Sequence, residues 1–329
     1  MFLKGKIAFN HEWKTNEIIV YVLTYPLCSL YCLIAHMDED DYKFEGNVPD
    51  YYDKLFGSQL FEPYAVDLVS HLSSHTASIG RVLELSCGTG RCTRQILAQI
   101  KGPLELTATD VSQEMLDFAK KAISVSPQTQ TVICWKVADE CELPFEENYF
   151  DLVICQFGFM FGADKEKAFA ESMRVLLPGG LLLFNVWDDI EKNPLCFIAD
   201  NVIKASHPDD HDDFFRLPYS MHDREVVASQ LTSAGLDIMT ILDEPIKCFW
   251  NTPFEAADAI IDGSPISLIL KSRGEDLKPT LDKISAAYLE HKEQESALET
   301  GQVTGTTADE DRISFTMNAV IYMSCKPNV

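Results

Sequence analysis

Residues 82–93 read Val-Leu-Glu-Leu-Ser-Cys-Gly-Thr-Gly-Arg-Cys-Thr, placing one acid, Glu84, near the end of an apolar run and Gly88 and Gly90 just beyond it. Glycines at a strand-to-helix turn admit positive φ and let a ligand approach the backbone closely. Asp110 ends the next apolar run, about 20 residues on, where a carboxylate can accept hydrogen bonds from both hydroxyls of a ribose. A bare GxG is a weak signal, and two details narrow the ligand. Thr93 stands where a dinucleotide turn has its third glycine, and Glu84 puts negative charge where a dinucleotide phosphate would come. An acid there suits a ligand carrying an ammonium and a sulfonium.

These residues need elements to position them. From Arg81 onward, short β-branched apolar runs alternate with helical stretches, which predicts a parallel sheet covered on both faces. Strands are predicted at 82–85, 104–109, 131–137, 150–156 and 181–186. Helices are predicted at 93–100, 113–124 and 165–176, the last stopped by Pro178-Gly-Gly180. Beyond Trp187 the alternation loosens. Helices at 196–205 and 223–234 (capped by Gly235) precede a sixth strand at 237–250, a helical stretch at 253–294, a loop at 295–311 and a last strand at 314–325. Sheets of this kind bind ligands at the carboxyl ends of their strands.

The motif residues resemble those of the class I S-adenosylmethionine-dependent methyltransferases. Glu84 with Gly88-Thr-Gly90 is similar to the first family motif, and Asp110 in ATDVSQEML to the ribose-binding second. Ala138-Asp139-Glu140 followed by Glu142-Leu-Pro-Phe145 resembles the third, where the Asp meets the adenine amino group. Phe150-Asp-Leu-Val-Ile-Cys-Gln156 resembles the fourth-strand motif, and Arg174-Val-Leu-Leu-Pro-Gly-Gly180 the turn before strand five. Upstream, Phe44 to Asp53 and Phe61-Glu-Pro-Tyr-Ala65 look like the lead-in of the ubiquinone and menaquinone type subgroup, in which a tyrosine, here Tyr52, closes over the methionine end of the cofactor.

The resemblance implies a Rossmann-like, doubly wound α/β fold: a seven-stranded, mostly parallel sheet with an antiparallel last strand and a helical lid inserted at about 188–235 and 252–300. It implies S-adenosylmethionine as cofactor, held by Tyr52, Glu84, Gly88, Gly90, Asp110, Val111, Met115, Ala138, Asp139 and Gln156. Each has a plainer reading too. Asp110 or Asp139 alone could be a helix N-cap, Gln156 a satisfied amide, Tyr52 a packing aromatic, and Met115 both core and cofactor wall. The pair Ser86-Cys87 departs from the commoner acid-Cys or acid-Ala and leaves the glycine turn intact.

A sulfonium methyl is a strong electrophile, so such a site mainly holds a nucleophile in line at about 3 to 3.5 Å and excludes water. An acceptor hydroxyl or acidic carbon would need a general base, for which His222 is the candidate. The Asn-Pro-Pro-Tyr run of amino-methylating enzymes and the Pro-Cys pair of cytosine enzymes are both missing after strand four, where Cys155-Gln-Phe-Gly158 stands. With a net charge of −24 and no basic stripe, nucleic acid is disfavoured and a small-molecule acceptor is expected. Aromatics in the lid (Phe197, Phe214, Phe215, Tyr219, Phe254) suggest an apolar one. Two rival readings stand beside this: an NAD(P)-dependent oxidoreductase on a related sheet, and a noncatalytic scaffold keeping the cofactor fold.

The 329 residues have ordinary globular composition, 46% hydrophobic and 24% charged, long enough for a large core. The ten cysteines fall mostly inside apolar runs and make no CxxC or zinc spacing, which fits a reducing, cytoplasmic setting without metal. The acidic run 207–213, with two histidines, reads as a solvated loop. Residues 1–36 differ from the rest: three lysines oppose two glutamates, leaving −25 on residues 37–329. The run 18–35 is apolar enough to suggest a membrane anchor, but Pro26, Thr24 and its tyrosines weaken it. The expected organisation is a dispensable or anchoring extension, 1–36, and a methyltransferase domain, 37–329.

Overall fold

The computed structural model describes residues 48–125, 130–207, 214–264, 266–300 and 312–328. The extension 1–36 and most of the acidic run 207–213 lie outside them. Among the described residues, no helix is long and apolar enough to cross a membrane.

The chain enters through α1 (Val48–Tyr52), a π-helical stretch (Asp53–Phe61) and α2 (Glu62–Ser70), then alternates β1 (Arg81–Leu85), α3 (Arg91–Gln99), β2 (Leu104–Asp110), α4 (Gln113–Ala122), β3 (Thr131–Val137), β4 (Phe150–Gln156), α5 (Lys165–Val175) and β5 (Leu176–Trp187). Next come α6 (Pro194–Ser206), α7 (Arg224–Ser233), β6 (Asp237–Trp250), α8 (Pro253–Asp262), α9 (Ile266–Ser272), α10 (Leu277–Thr300) and β7 (Ile313–Cys325). The strand order is β3-β2-β1-β4-β5-β7-β6, with β7 antiparallel to both neighbours and β1 to β5 parallel. The order reverses between β1 and β4, opening the crevice in which ligands of doubly wound sheets bind.

Strand alternation divides the core between two faces. Val82, Leu152, Ile154 and Leu183 pack with Leu68 of α2 and Ile96 of α3. Leu83, Val153, Cys155, Leu182 and Phe184 face the other side, with Phe169 of α5, Ile260 of α8 and Tyr288 of α10. The start of β1 is pinned to β4 because Asp151 Oδ2 accepts from both Gly80 N and Arg81 N, at 2.9 and 2.7 Å.

The structure revises three of the predicted bounds. Strand β5 begins at Leu176, five residues early: Leu176 pairs with Phe150, the register then breaks before Leu181 pairs with Leu152, and within that bulge Gly179 is left-handed (φ 79°) and its N–H donates to Lys326 O at 2.8 Å. The helical stretch 253–294 divides into three helices, with breaks at Gly263-Ser264 and at Gly274 (φ 76°). Helix α10 continues to Thr300, shortening the expected loop from its start; residues 301–311 lie outside the described ones.

Candidate active site

Strand β1 ends in a turn with three left-handed residues, Ser86 (φ 51°), Gly88 (φ 53°) and Gly90 (φ 82°), the last serving as N-cap of α3. A side chain there would meet different surroundings at the two glycines. A Cβ on Gly90 would lie 2.5 Å from Ile123 Cδ1, whereas a Cβ on Gly88 would have nothing within 4 Å. Gly90 is thus shaped by packing, and Gly88 borders open space at the strand ends.

Asp110 closes over this turn. Its Oδ2 accepts from Gly88 N at 2.8 Å and its Oδ1 from Ser112 N at 2.9 Å. Burial lifts its carboxyl above the ordinary range, against the N–H groups of Ser112, Gly88 and Val111. It is not the N-cap of α4; Ser112 is, its hydroxyl accepting from Met115 N. Each Asp110 oxygen keeps a lone pair for a further donor. Val111 is exposed and Met115 half-buried beside it.

Glu84 is fully buried, with Thr93 Oγ1 donating to its Oε2 at 2.7 Å and no hydrogen-bond partner on Oε1. Burial pushes its carboxyl up to about 8, against the Thr93 hydrogen bond. Thr93, the residue in the place of a third glycine, therefore supports the acid. A buried, half-satisfied carboxyl is a costly group that a ligand ammonium would complement. This orphaned oxygen, the open space at Gly88 and the spare capacity of Asp110 fit the amino-acid and ribose ends of S-adenosylmethionine.

After β3, Ala138 N donates to Asp110 O at 3.1 Å, which brings the third motif beside the second. Asp139 is exposed and accepts from Cys141 N at 2.8 Å. Its neighbour Glu140, given no role in the sequence reading, is buried: Ser86 Oγ donates to its Oε2 at 3.0 Å, and Oε1 has no partner. Nothing about its residue type marks Glu140, since the motif around it is acidic throughout.

The lead-in segment spans the strand ends from β2 to β4. Burial, with the Asp110 and Asp53 carboxylates nearby, pushes the Tyr52 hydroxyl up, and Gln156 Nε2 donates to Phe61 O at 2.8 Å. Gln156 thus serves as a satisfied amide that anchors the cover. An aromatic row follows the same path. Tyr52 stacks on Phe61 at 5.1 Å, Phe61 meets Phe157 at 6.0 Å, Phe157 stacks on Trp187 at 4.0 Å, and Trp187 reaches Tyr219 at 6.4 Å. Phe157 takes a left-handed backbone (φ 52°), a position that no local motif announced, and its N–H is held by both oxygens of Asn185, at 3.1 and 3.2 Å.

His222 stands apart from this cluster. Its ring is half exposed; Nδ1 lies 2.8 Å from Tyr219 O and Nε2 lies 3.9 Å from Asp189 Oδ2. Its described partners thus belong to the lid and the end of β5, not to the glycine turn. Of the lid aromatics, Tyr219 is buried, Phe197 packs on the core and Phe254 is exposed. The side chains of Phe214 and Phe215 lie outside the described residues. Away from these residues, Asp67, His71 and Glu244 bring ligand-type atoms within 4.8 Å of one another, with His71 and Asp67 already paired at 3.2 Å.

The methyltransferase domain family Methyltransf_11 matches residues 83–184. The ubiquinone/menaquinone biosynthesis C-methyltransferase UbiE of Burkholderia mallei is 32% identical over 174 residues, covering 48% of this chain and 68% of that protein. The Burkholderia thailandensis protein of the same name matches with the same figures. Among solved structures, the YcgJ protein of Bacillus subtilis is 16% identical with a TM-score of 0.48, covering 79% of this chain and 98% of that one.

Proposed function

The chain belongs to the class I S-adenosylmethionine-dependent methyltransferases of the UbiE type, and on that premise we propose that it methylates a small, apolar acceptor held beside the carboxyl ends of β4 and β5. Membership makes it an enzyme with S-adenosylmethionine as methyl donor and removes the oxidoreductase and scaffold readings. When bound, that cofactor supplies an electrophilic sulfonium methyl. Glu84, Gly88, Gly90, Asp110, Asp139 and Tyr52 would hold it, and Ala138, Val111 and Met115 would line it.

The observation that carries the acceptor reading is the row Phe61–Phe157–Trp187–Tyr219. These rings make the surroundings of the β4 and β5 ends apolar, with Phe157, Trp187 and Tyr219 buried, a setting that favours an apolar acceptor and excludes water from the transfer. The relatives' printed name, ubiquinone/menaquinone C-methyltransferase, supports an acceptor of quinone character. Such an acceptor must lose a proton from a hydroxyl or a ring carbon. A carbonyl oxygen can only accept, so His222 Nδ1–H faces Tyr219 O, and Nε2, 3.9 Å from Asp189 Oδ2, is the ring atom that would take that proton. Thiols set inside apolar runs support a cytoplasmic setting.

The test is turnover of the purified full chain with S-adenosylmethionine and a panel of short-chain alkyl hydroquinones, with small amines as controls. Methyl transfer to the hydroquinones alone is expected. For His222→Ala, kcat should fall on the order of 100-fold or more with unchanged cofactor affinity. Transfer only to amines would overturn the apolar acceptor, and unchanged kcat in the variant would remove His222 from the mechanism.

A further inference from the structure

The π-helical stretch that covers the strand ends is tied to the cofactor turn by one charged contact. Arg91, the residue directly after Gly90, donates Nε to Asp53 Oδ1 at 2.8 Å and Nη2 to Asp53 Oδ2 at 2.5 Å, and its Nη1 reaches Glu62 Oε2 at 3.1 Å. Gln95, one turn along α3, holds the other Glu62 oxygen at 2.5 Å. Burial would raise the Asp53 carboxyl, yet the Arg91 guanidinium beside it holds it below the ordinary carboxylate range.

Asp53 adjoins Tyr52, whose hydroxyl feels the Asp110 charge. The contact therefore fixes the cover exactly where it meets the ribose-binding carboxylate candidate. Gly57 completes the fit: a Cβ on it would lie 2.5 Å from Arg91 Nη2, so the guanidinium packs against backbone that only glycine leaves clear. The Asp53 and Arg91 side chains are each 17% exposed, so the pair is shielded and bidentate, the kind of ion pair that outweighs a surface one. The segment itself is π-helical for nine residues, a rare hydrogen-bonding pattern that occurs frequently at functional sites.

We propose that Asp53 and Arg91 form a latch that closes the segment Asp53–Phe61 over bound cofactor and sets the rate at which cofactor leaves. The proposal rests on the reading that the Gly88 turn holds S-adenosylmethionine. A ligand beneath this segment departs when the segment lifts, and lifting separates Asp53 from Arg91. These are positioning residues: they act through Tyr52 and the turn, not on the reacting atoms.

The test is a chase of labelled S-adenosylmethionine from the full chain by excess S-adenosylhomocysteine, run beside the thermal unfolding of each variant. Asp53→Asn and Arg91→Met should each release cofactor at least tenfold faster, and the double variant no faster than the faster single one, because the two groups act as a unit. Arg91→Lys, which keeps the charge and loses the fork, should fall between. Gly57→Ala should speed release without removing any charge. Unaltered release from Asp53→Asn and Arg91→Met proteins with native melting temperatures overturns the latch. If those two unfold, Glu62→Gln and Gly57→Ala decide it by the same readout. Failure of the native chain to bind S-adenosylmethionine overturns the cofactor reading instead.

Discussion

A carboxyl buried beside a single hydroxyl, as Glu84 is, makes the site sensitive to pH. Its folded-state value, about 8, lies above the ordinary 4.5, so its protonated form favours the fold and that contribution is lost as pH rises through about 8. A ligand ammonium needs the ionised form. Cofactor binding below pH 8 must therefore expel a proton from Glu84, and affinity should weaken by about tenfold per pH unit from pH 7 to pH 6. Calorimetry in buffers of different ionisation enthalpy checks this: heats should vary with buffer at pH 7, and Glu84→Gln should abolish both the variation and the pH slope. Buffer-independent heats for the native chain would mean that no proton leaves. At this scale Glu84, Gly88, Gly90 and Asp110 were legible because chemistry dictates their types. Glu140, Asp53 and Arg91 were not, because an acid or base declares its partner only when folding brings the two together.

At the scale of elements, the turn between β1 and α3 separates packing from ligand contact. Both glycines are left-handed, a backbone that costs an ordinary L-residue about 1 to 2 kcal/mol. Gly90→Ala adds a clash with Ile123 and Ala119, so its main effect should be a clearly lower melting temperature. Gly88→Ala meets no neighbour, so it should lower the melting temperature less and weaken cofactor binding at least tenfold. Thermal unfolding and calorimetry on both variants test the contrast; the reverse order would move the ligand space away from Gly88. Periodicity located nearly every strand and helix, since an apolar run of period two or 3.6 is written locally. It did not foresee the pairing of Leu176 with Phe150 ahead of the Pro-Gly-Gly bulge, which the Lys326 backbone supports from the far end of the chain.

For the molecule as a whole, every candidate site residue is at position 52 or later, both main core clusters are built among the described residues from 48 on, and residues 37–329 carry the acidic charge. We therefore expect a 37–329 fragment to fold and to bind S-adenosylmethionine with the affinity of the full chain. Circular dichroism and calorimetric titration check this; a folded fragment that has lost binding would show that the first 36 residues complete the site. The same acidity accords with the small-molecule acceptor proposed above.

The family, the order of elements and the candidate acids beside the glycine turn were legible in the sequence alone, because a glycine turn, an acid at the end of the next strand and alternating apolar runs are short-range patterns dictated by backbone sterics and burial. Tertiary structure decided what covers that site. The stacking of Phe157 on Trp187 and the grip of Arg91 on Asp53 each join residues 30 or more positions apart. Such contacts depend on where parallel strands end relative to one another, and strand register is fixed by packing on both faces of the sheet, not by any local run of residues.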